Sequence, residues 1–504
     1  MLGLLATGAG LAAAELTVGL VEGSASPVVP VGQVFIDWVP RPLKEWAIST
    51  FGTNDKAVLV FGALIVILGI GVVVGVLAMR GARSSAYALT SVIGVLGAFA
   101  VLTRPAPSLG KLLPTLIGTA VSIAVLWYLA PRETPASSTA ATPGQPQTMG
   151  VDRRRFVGGA IGIGSAAVIV GGVGRMLQQR FEVGAERSSI ALPAAESPSA
   201  TLPADAQFPI EGLYPFVTPN KDFYRIDTAL VVPQVSKDSW SLKIGGMVDR
   251  PIEITFDDLL ARPQVERYIT LSCVSNPVGG GYIGNALWQG VLLKDVLDEA
   301  GVQPGATQVV SRSVDGWTAG TPTEVIMDGR DAMLAVGMNG EPLPARNGYP
   351  VRMVVPGLYG YVSATKWVTD IELTRWEDYD AYWVPRGWSK LGPIKTMARI
   401  DAPRQRDHVG DVMVAGVAWA IHRGVSKVQV RVDEGEWADA DLGGVPSADT
   451  WVQWSYRLAA SPGKHTIEAR AVDGDGVPQT EEYAPVAPNG AQGYPRLTIN
   501  VKST

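Results

Sequence analysis

Long apolar stretches dominate the first third of the chain and then stop. Leu2–Leu20, Ala57–Met79, Ser85–Leu102, Leu113–Ala130 and Phe156–Gly174 each hold about 18 or more mostly apolar residues. That is enough helix to cross a bilayer core of roughly 30 Å. A short core helix is the plain alternative for any one stretch, but five in series predict a membrane region. Glu15 interrupts the first stretch, so its carboxylate is expected to face neighbouring helices rather than lipid. Beyond residue 208 the pattern changes to short elements. Asp257–Leu260 and Leu293–Ala300 read as helices, the second ended by Gly301. Ser239–Ile244, Tyr268–Leu271, Gln308–Ser313 and Tyr349–Val355 read as strands, which makes 208–393 an α+β segment. From 394 to 504 short strands recur at regular spacing: Val412–Ala418, Lys427–Val432, Trp451–Leu458, His465–Val472 and Arg496–Val501. Turns such as Asp433-Glu434-Gly435 separate them, the pattern of an immunoglobulin-like β-sandwich without its cysteines.

Low-complexity stretches and positive charge set the organisation. Pro131–Met149, rich in Pro, Ala, Ser, Thr and Gln, reads as a flexible linker, and Arg187–Ala206 as a tether between membrane and soluble part. The expected plan has four helices in 1–131, a cytoplasmic linker in 132–155 and a fifth span in 156–175. An external linker in 176–207 and two soluble domains, 208–393 and 394–504, complete it. Arg80 and Arg83 between spans two and three, and Arg153-Arg154-Arg155 before span five, place those loops in the cytoplasm. The opposite loops also carry Arg41, Lys44, Lys56, Arg104 and Lys111, so the bias is modest. On this orientation the chain after Gly174 is extracytoplasmic. Asp152-Arg153-Arg154-Arg155-Phe156-Val157 ahead of a weakly apolar stretch also has the form of a twin-arginine export signal, retained as an anchor. An ordinary positive-inside anchor needs the arginines but not this order.

Composition narrows the chemistry. A formal net charge of −5 excludes the basic balance of a nucleic-acid binder. Cys273 is the only cysteine, so no intrachain disulfide, CxxC or zinc cluster is available. Most single cysteines are small buried hydrophobes. Here Thr270-Leu271-Ser272-Cys273-Val274-Ser275-Asn276 ends an apolar run just before Gly279-Gly280-Gly281, where backbone can approach a ligand closely. A soft thiolate in that setting suits one protein ligand to a metal that a cofactor otherwise holds.

The segment Leu271–Leu293 resembles the cofactor loop of the sulfite oxidase family of molybdopterin enzymes. So do Met338–Pro344, Asn347-Gly348-Tyr349-Pro350-Val351-Arg352, Val354–Gly357 and Lys366-Trp367. The resemblance spans roughly residues 210 to 502. It implies a bound molybdenum–molybdopterin cofactor ligated by Cys273 and an oxidoreductase that transfers oxygen atoms. By the same resemblance Asn220, Phe223, Tyr224, Arg225 and Asp227 match the pterin- and phosphate-binding stretch. Asp315 matches an acidic pterin contact, Asn347 and Arg352 a further polar pair, and Ala364, Thr365 and Lys366 a backbone and lysine cradle. Arginine and lysine are the physical choice for a phosphate anion. The C-terminal sandwich matches the family's dimerisation domain, which implies a homodimer.

Two departures bear on substrate. Pro277 and Val278 stand where sulfite-oxidising members carry an arginine, and Trp317 stands where they place a tyrosine beside the metal. A pocket without that guanidinium loses charge-assisted hydrogen bonds worth about 1.5–3 kcal/mol each. A neutral oxo-substrate such as an S-oxide therefore fits better than sulfite, with the family's methionine-sulfoxide reductases as an analogy. The histidines, His408, His422 and His465, all lie in the last domain, so the spans offer no ligands for a bis-histidine haem. Electrons must then be exchanged with an external partner such as a cytochrome or a quinone-linked protein. The reading from another class is a catalytically silent cell-surface binding protein that keeps the fold; retention of Cys273 and the cradle residues counts against it.

Overall fold

The computed structural model describes residues 1–21, 24–40, 43, 46–47, 50–51, 55–104, 109–130 and 153–503. The expected linker Pro131–Met149 and Asp152 of the export signal lie outside them. The chain forms two compact units, one of 1–182 with 229–232, the other of 183–228 with 233–504.

The first unit is helical. Leu2–Leu20, Asp55–Met79, Arg83–Leu102, Leu109–Leu129 and Arg153–Gln178 are the five helices, among the described residues, long and apolar enough to cross a membrane. Leu2–Leu20 is half buried, whereas only about a tenth of the second span is, so the first helix is the centre of the bundle. Small residues let neighbours come close there: a Cβ on Gly3 would lie 1.7 Å from the Gly71 carbonyl oxygen, and one on Gly174 2.6 Å from Leu16 N. Close backbone approach through small residues is how helices pack without a hydrophobic driving force. Glu15 does face a neighbour, its Oε2 accepting from Gln178 Nε2 at 2.8 Å. The stretch between spans one and two, an external loop on the expected plan, contains a further helix, Val28–Trp38, too short to span.

The second unit is built mainly of β-sheets. One mixed sheet has the order β2-β1-β10-β5-β6, from Ser241–Gly246 (β1), Ile252–Thr255 (β2), Gln308–Ser313 (β5), Thr318–Pro322 (β6) and Val368–Thr374 (β10). β1 and β10 run parallel, with Lys243 opposite Asp370. A second sheet orders Val265–Ser272 (β3), Ile283–Leu292 (β4), Met333–Met338 (β7) and Glu341–Pro342 (β8), with Arg352–Val354 (β9) beside β8 on the edge of β7 away from β4. The helix Leu293–Ala300 forms as expected. Leu293, Val296, Leu297 and Ala300 follow the i, i+3, i+4, i+7 spacing and are all fully buried. Each large side chain there contributes roughly 1.5–3 kcal/mol, and Leu297→Ala would cost about 2–5 kcal/mol. Gly301 ends the helix in the left-handed region at φ 74°.

The C-terminal region is β-rich. Met397–Ala402 (β11), Val412–Trp419 (β13), Asp441–Leu442 (β16) and Val452–Leu458 (β17) make one sheet. Asp407–Val409 (β12), Val425–Val432 (β14), Ala438–Asp439 (β15), Gly463–Asp473 (β18) and Arg496–Lys502 (β19) make the other. Val414, Trp454, Val430, Ile467 and Ile499, drawn from both sheets, share one core.

The expected external tether, 187–206, is not free chain. Ser197 bridges Val265 at the edge of β3, and Glu266 N–H donates to its carbonyl at 2.9 Å. Arg187 pairs with Glu341 at 2.8 Å, and Glu186 accepts from Ser236 Oγ at 2.6 Å. Its Ser, Ala and Pro content looks unstructured, but pairing at a sheet edge and charged anchors at and just before its start order it.

Candidate functional site

Cys273 is the first residue beyond β3. The ladder continues one rung, Cys273 N–H donating to Tyr282 O at 2.9 Å, and this closes the neck of a loop. Inside it Asn276 N–H donates to Cys273 O at 3.0 Å, and Asn276 Oδ1 accepts from Tyr282 N–H at 2.9 Å. Asn276 therefore ties both sides of the loop. Gly280 fits because any Cβ there would lie 2.5 Å from Asn276 Oδ1. The thiol is buried, and burial pushes its pKa up; the Ser275 N–H, 3.5 Å from Sγ, and the charge of Lys366 oppose that. A metal would reverse the balance, since ligation requires the thiolate.

A cavity of about 130 Å³ opens beside Cys273. Of the residues expected at the site, Cys273, Trp317, Phe223, Tyr224, Asp227, Asp315, Asn347, Arg352, Ala364 and Lys366 line it. Phe223 stacks on Tyr224 (centroids 5.2 Å apart), and Gly284 on β4 makes room for the Phe223 ring. Asp227 lies between two cations: Arg225 Nε donates to it at 2.8 Å, and Lys366 Nζ bonds the same carboxylate. Burial brings Lys366 down to about 8 against the pull of Asp227. Asp315 Oδ1 accepts from Trp317 N–H at 3.2 Å, and its other oxygen from Thr228 Oγ1 at 3.4 Å.

Arg352 carries the least compensated charge. Its guanidinium lies 4.8 Å over the Trp288 ring and donates to Asn347 O at 3.0 Å. Burial holds its pKa down at about 10. Gly348, at φ 118°, allows the segments of Arg352 and Lys366 to meet, because a Cβ there would lie 2.9 Å from Arg352 Cβ.

Three expected residues lie off the cavity lining. Asn220 donates to Met338 O at 3.2 Å and accepts from Asn339 Nδ2 at 2.8 Å. Thr365 is fully buried and shares a hydrogen bond with Ser311 Oγ at 2.6 Å. Arg225 reaches the site through Asp227. An aromatic wall of Tyr361, Trp383 and Trp388, not among the residues expected from the sequence, also lines the cavity. Trp388 lies 6.2 Å from Trp383 and 6.0 Å from Tyr361, whose hydroxyl is spent on Ser389 O at 2.7 Å. The signal available was the aromatic density of Tyr382-Trp383…Trp388.

Comparison with known proteins bears on what fills such a site. Residues 229–383 match the family model described as the oxidoreductase molybdopterin binding domain. An uncharacterized oxidoreductase of Bacillus subtilis, YuiH, is 35% identical over 153 residues, covering 30% of this chain and 74% of that protein. The chain belongs to the sulfite oxidase family of molybdopterin-dependent oxidoreductases. Mitochondrial sulfite oxidase of Drosophila melanogaster is 31% identical over 343 residues, 57% of this chain; the chain spans 59% of that enzyme's length. The sulfane dehydrogenase SoxCD of Paracoccus pantotrophus aligns with a TM-score of 0.48 at 26% identity, covering 55% of this chain and 79% of that one.

As a member of the sulfite oxidase family, the protein is a molybdenum oxidoreductase with a molybdenum–molybdopterin cofactor. The cavity fits that group. Among the described residues Arg352 Nε, Asn347 Oδ1 and Ser313 Oγ are buried without a hydrogen-bond partner, and all three residues line it. Orphaned donors and acceptors beside an undercompensated cation suit a ligand that brings anionic oxygens and ring N–H groups.

Proposed function

We propose that this chain is a membrane-anchored, extracytoplasmic member of the family. It exchanges an oxygen atom with a neutral, partly apolar oxo-substrate of the S-oxide type, not with sulfite. The observation that carries the reading is the wall of the cavity beside Cys273. Trp317, Trp383, Trp388 and Tyr361 line it, and Pro277 and Val278 follow the cysteine motif where a cation would hold an oxyanion. The lining cations have other work in this reading: Lys366 is bonded to Asp227, and the undercompensated Arg352 is taken up by the anionic edge of the cofactor. An apolar wall contributes roughly 25 cal/mol per Å² of buried ligand surface and does little to offset the desolvation of an anion.

When bound, the cofactor supplies two-electron oxygen-atom chemistry at its metal. In this reading Cys273 provides the protein's thiolate to the molybdenum. Arg352, with Asn347 and Lys366, holds the anionic and polar edge of the cofactor. Phe223 and Tyr224 form one apolar side, and Asp315 a polar stop. Trp317, Trp383 and Trp388 orient the substrate and exclude water. The spans anchor the enzyme and the arginines before Phe156 direct export. Electrons pass to or from an external carrier protein, and the C-terminal region, read as immunoglobulin-like, pairs two copies.

The test is steady-state kinetics of the molybdenum-loaded protein with a one-electron dye, comparing sulfite with aryl methyl S-oxides. The S-oxides are expected to turn over and sulfite to be poor. Sulfite turnover approaching about 10⁶ M⁻¹s⁻¹, within the usual enzyme range, would contradict the reading.

A further inference from the structure

Both flanks of Cys273 are held from the C-terminal β-rich region. Upstream on β3, Thr270 N–H donates to Asp449 O at 2.9 Å, and Thr270 Oγ1 accepts from Trp451 N–H at 2.8 Å. Downstream, the carbonyl of Gly280 accepts from Arg399 Nη1 at 3.3 Å. Arg399 lies on β11, only 3% exposed. Its guanidinium pairs with Asp401 at 2.6 Å and stacks 4.5 Å from the Tyr214 ring and 5.7 Å from that of Trp451.

The energetics of this arrangement point away from a role in stability alone. A buried ion pair gains little over well-packed apolar residues of the same size, because two charges must be desolvated. What Arg399 adds is a directional donor, fixed by Asp401 and two rings, that reaches the loop closed by Asn276. That loop otherwise relies on its own turn, in which Gly279 takes φ 73° and Gly280 N–H donates to Pro277 O at 2.9 Å.

We propose that Arg399 is a positioning residue: with Asp449 and Trp451 on the other flank, it fixes the loop that seats Cys273, so the C-terminal region is a working part of the site. The inference deepens the reading of Cys273 as the molybdenum ligand and rests on it. Arg399 is not among the residues lining the cavity and acts through Gly280 and Asn276.

The experiment is hydrogen–deuterium exchange on the full-length protein, with and without molybdenum, for wild type, Arg399→Met and Arg399→Lys. In Arg399→Met, exchange across 276–282 is expected to rise about tenfold or more beyond any rise in strand β18, which registers the general cost of leaving Asp401 buried and unpaired. In the loaded protein the molybdenum EPR g-values should shift, and Arg399→Lys, which keeps the charge beside Asp401, should restore part of both effects. Unchanged exchange at 276–282 in both variants would overturn the proposal. So would an equal rise in β18, which would mean general loosening, or unaltered g-values despite a loosened loop. Cys273→Ser is the separate control: g-values equal to wild type there would overturn the ligand reading while leaving the exchange result to stand.

Discussion

Replacing Arg352 by methionine should weaken cofactor retention while sparing the cofactor-free protein, an unusual pair of outcomes for a buried residue. Arg352 is 5% exposed, and burial brings its pKa from the ordinary range above 12 to about 10. At 1.36 kcal/mol per pH unit, that gap is about 3 kcal/mol against the charged form. Its compensations are the hydrogen bond to Asn347 O, worth about 1.5–3 kcal/mol, the long one to Ala364 O at 3.5 Å, and the contact with Trp288, worth about 1 kcal/mol. Methionine removes the cost and the compensations together, so the cofactor-free protein should change by no more than about 2 kcal/mol in either direction. With cofactor bound, the variant lacks a charge-assisted bond of about 1.5–3 kcal/mol, so retention should fall roughly ten- to 150-fold. The assay is molybdenum content after extended dialysis, beside thermal unfolding of cofactor-free and loaded protein. Wild-type molybdenum retention together with a loss above about 3 kcal/mol in the cofactor-free protein would refute the reasoning, since Arg352 would then be purely structural.

Export and pH give further tests. If Arg153 and Arg154 form a twin-arginine signal, replacing both with lysine should leave the soluble part in the cytoplasm; unchanged exposure to external protease would leave only the positive-inside reading. His465 Nδ1 is 2.6 Å from Asp433, and Ser461 O is 2.8 Å from its Nε2; the Asp433 bond first, then the carbonyl, raises the imidazole pKa. A raised pKa contributes stability that is complete below the unfolded value near 6.5 and lost as pH climbs through the folded value. The Tm gap between wild type and His465→Gln should therefore be larger at about pH 5.5 than at about pH 9, and a gap independent of pH would contradict the assignment.

Much of this architecture is legible where one periodicity acts alone. Leu293–Ala300 has a one-sided apolar stripe and a terminating Gly301, and Gln308–Ser313 forms with the bounds expected of it. β4 was not legible as a strand, because it is buried on both faces and its glycines, Gly284 and Gly290, sit where a ring and a neighbouring carbonyl approach. The helix Val28–Trp38 was hidden in a loop by its proline and glycine, and 187–206 by its composition. At the site, Cys273, Arg352 and Lys366 were visible as motif residues. Trp383 and Trp388 were not, since they lie in irregular chain beyond β10 and only the tertiary fold brings them to the thiol. Asn220 shows the reverse: its sequence neighbours line the cavity, while its amide is drawn to Met338, Asn339 and Glu341.

The central claim is that Cys273 is the protein's ligand to the molybdenum of a working oxidoreductase. X-ray absorption at the molybdenum edge, on wild type and Cys273→Ser purified full-length, tests it most directly. The account predicts one fewer sulfur neighbour in the variant and loss of oxygen-atom transfer, with thermal unfolding of the second unit unchanged. The same sulfur count in both proteins, with turnover retained, would contradict it.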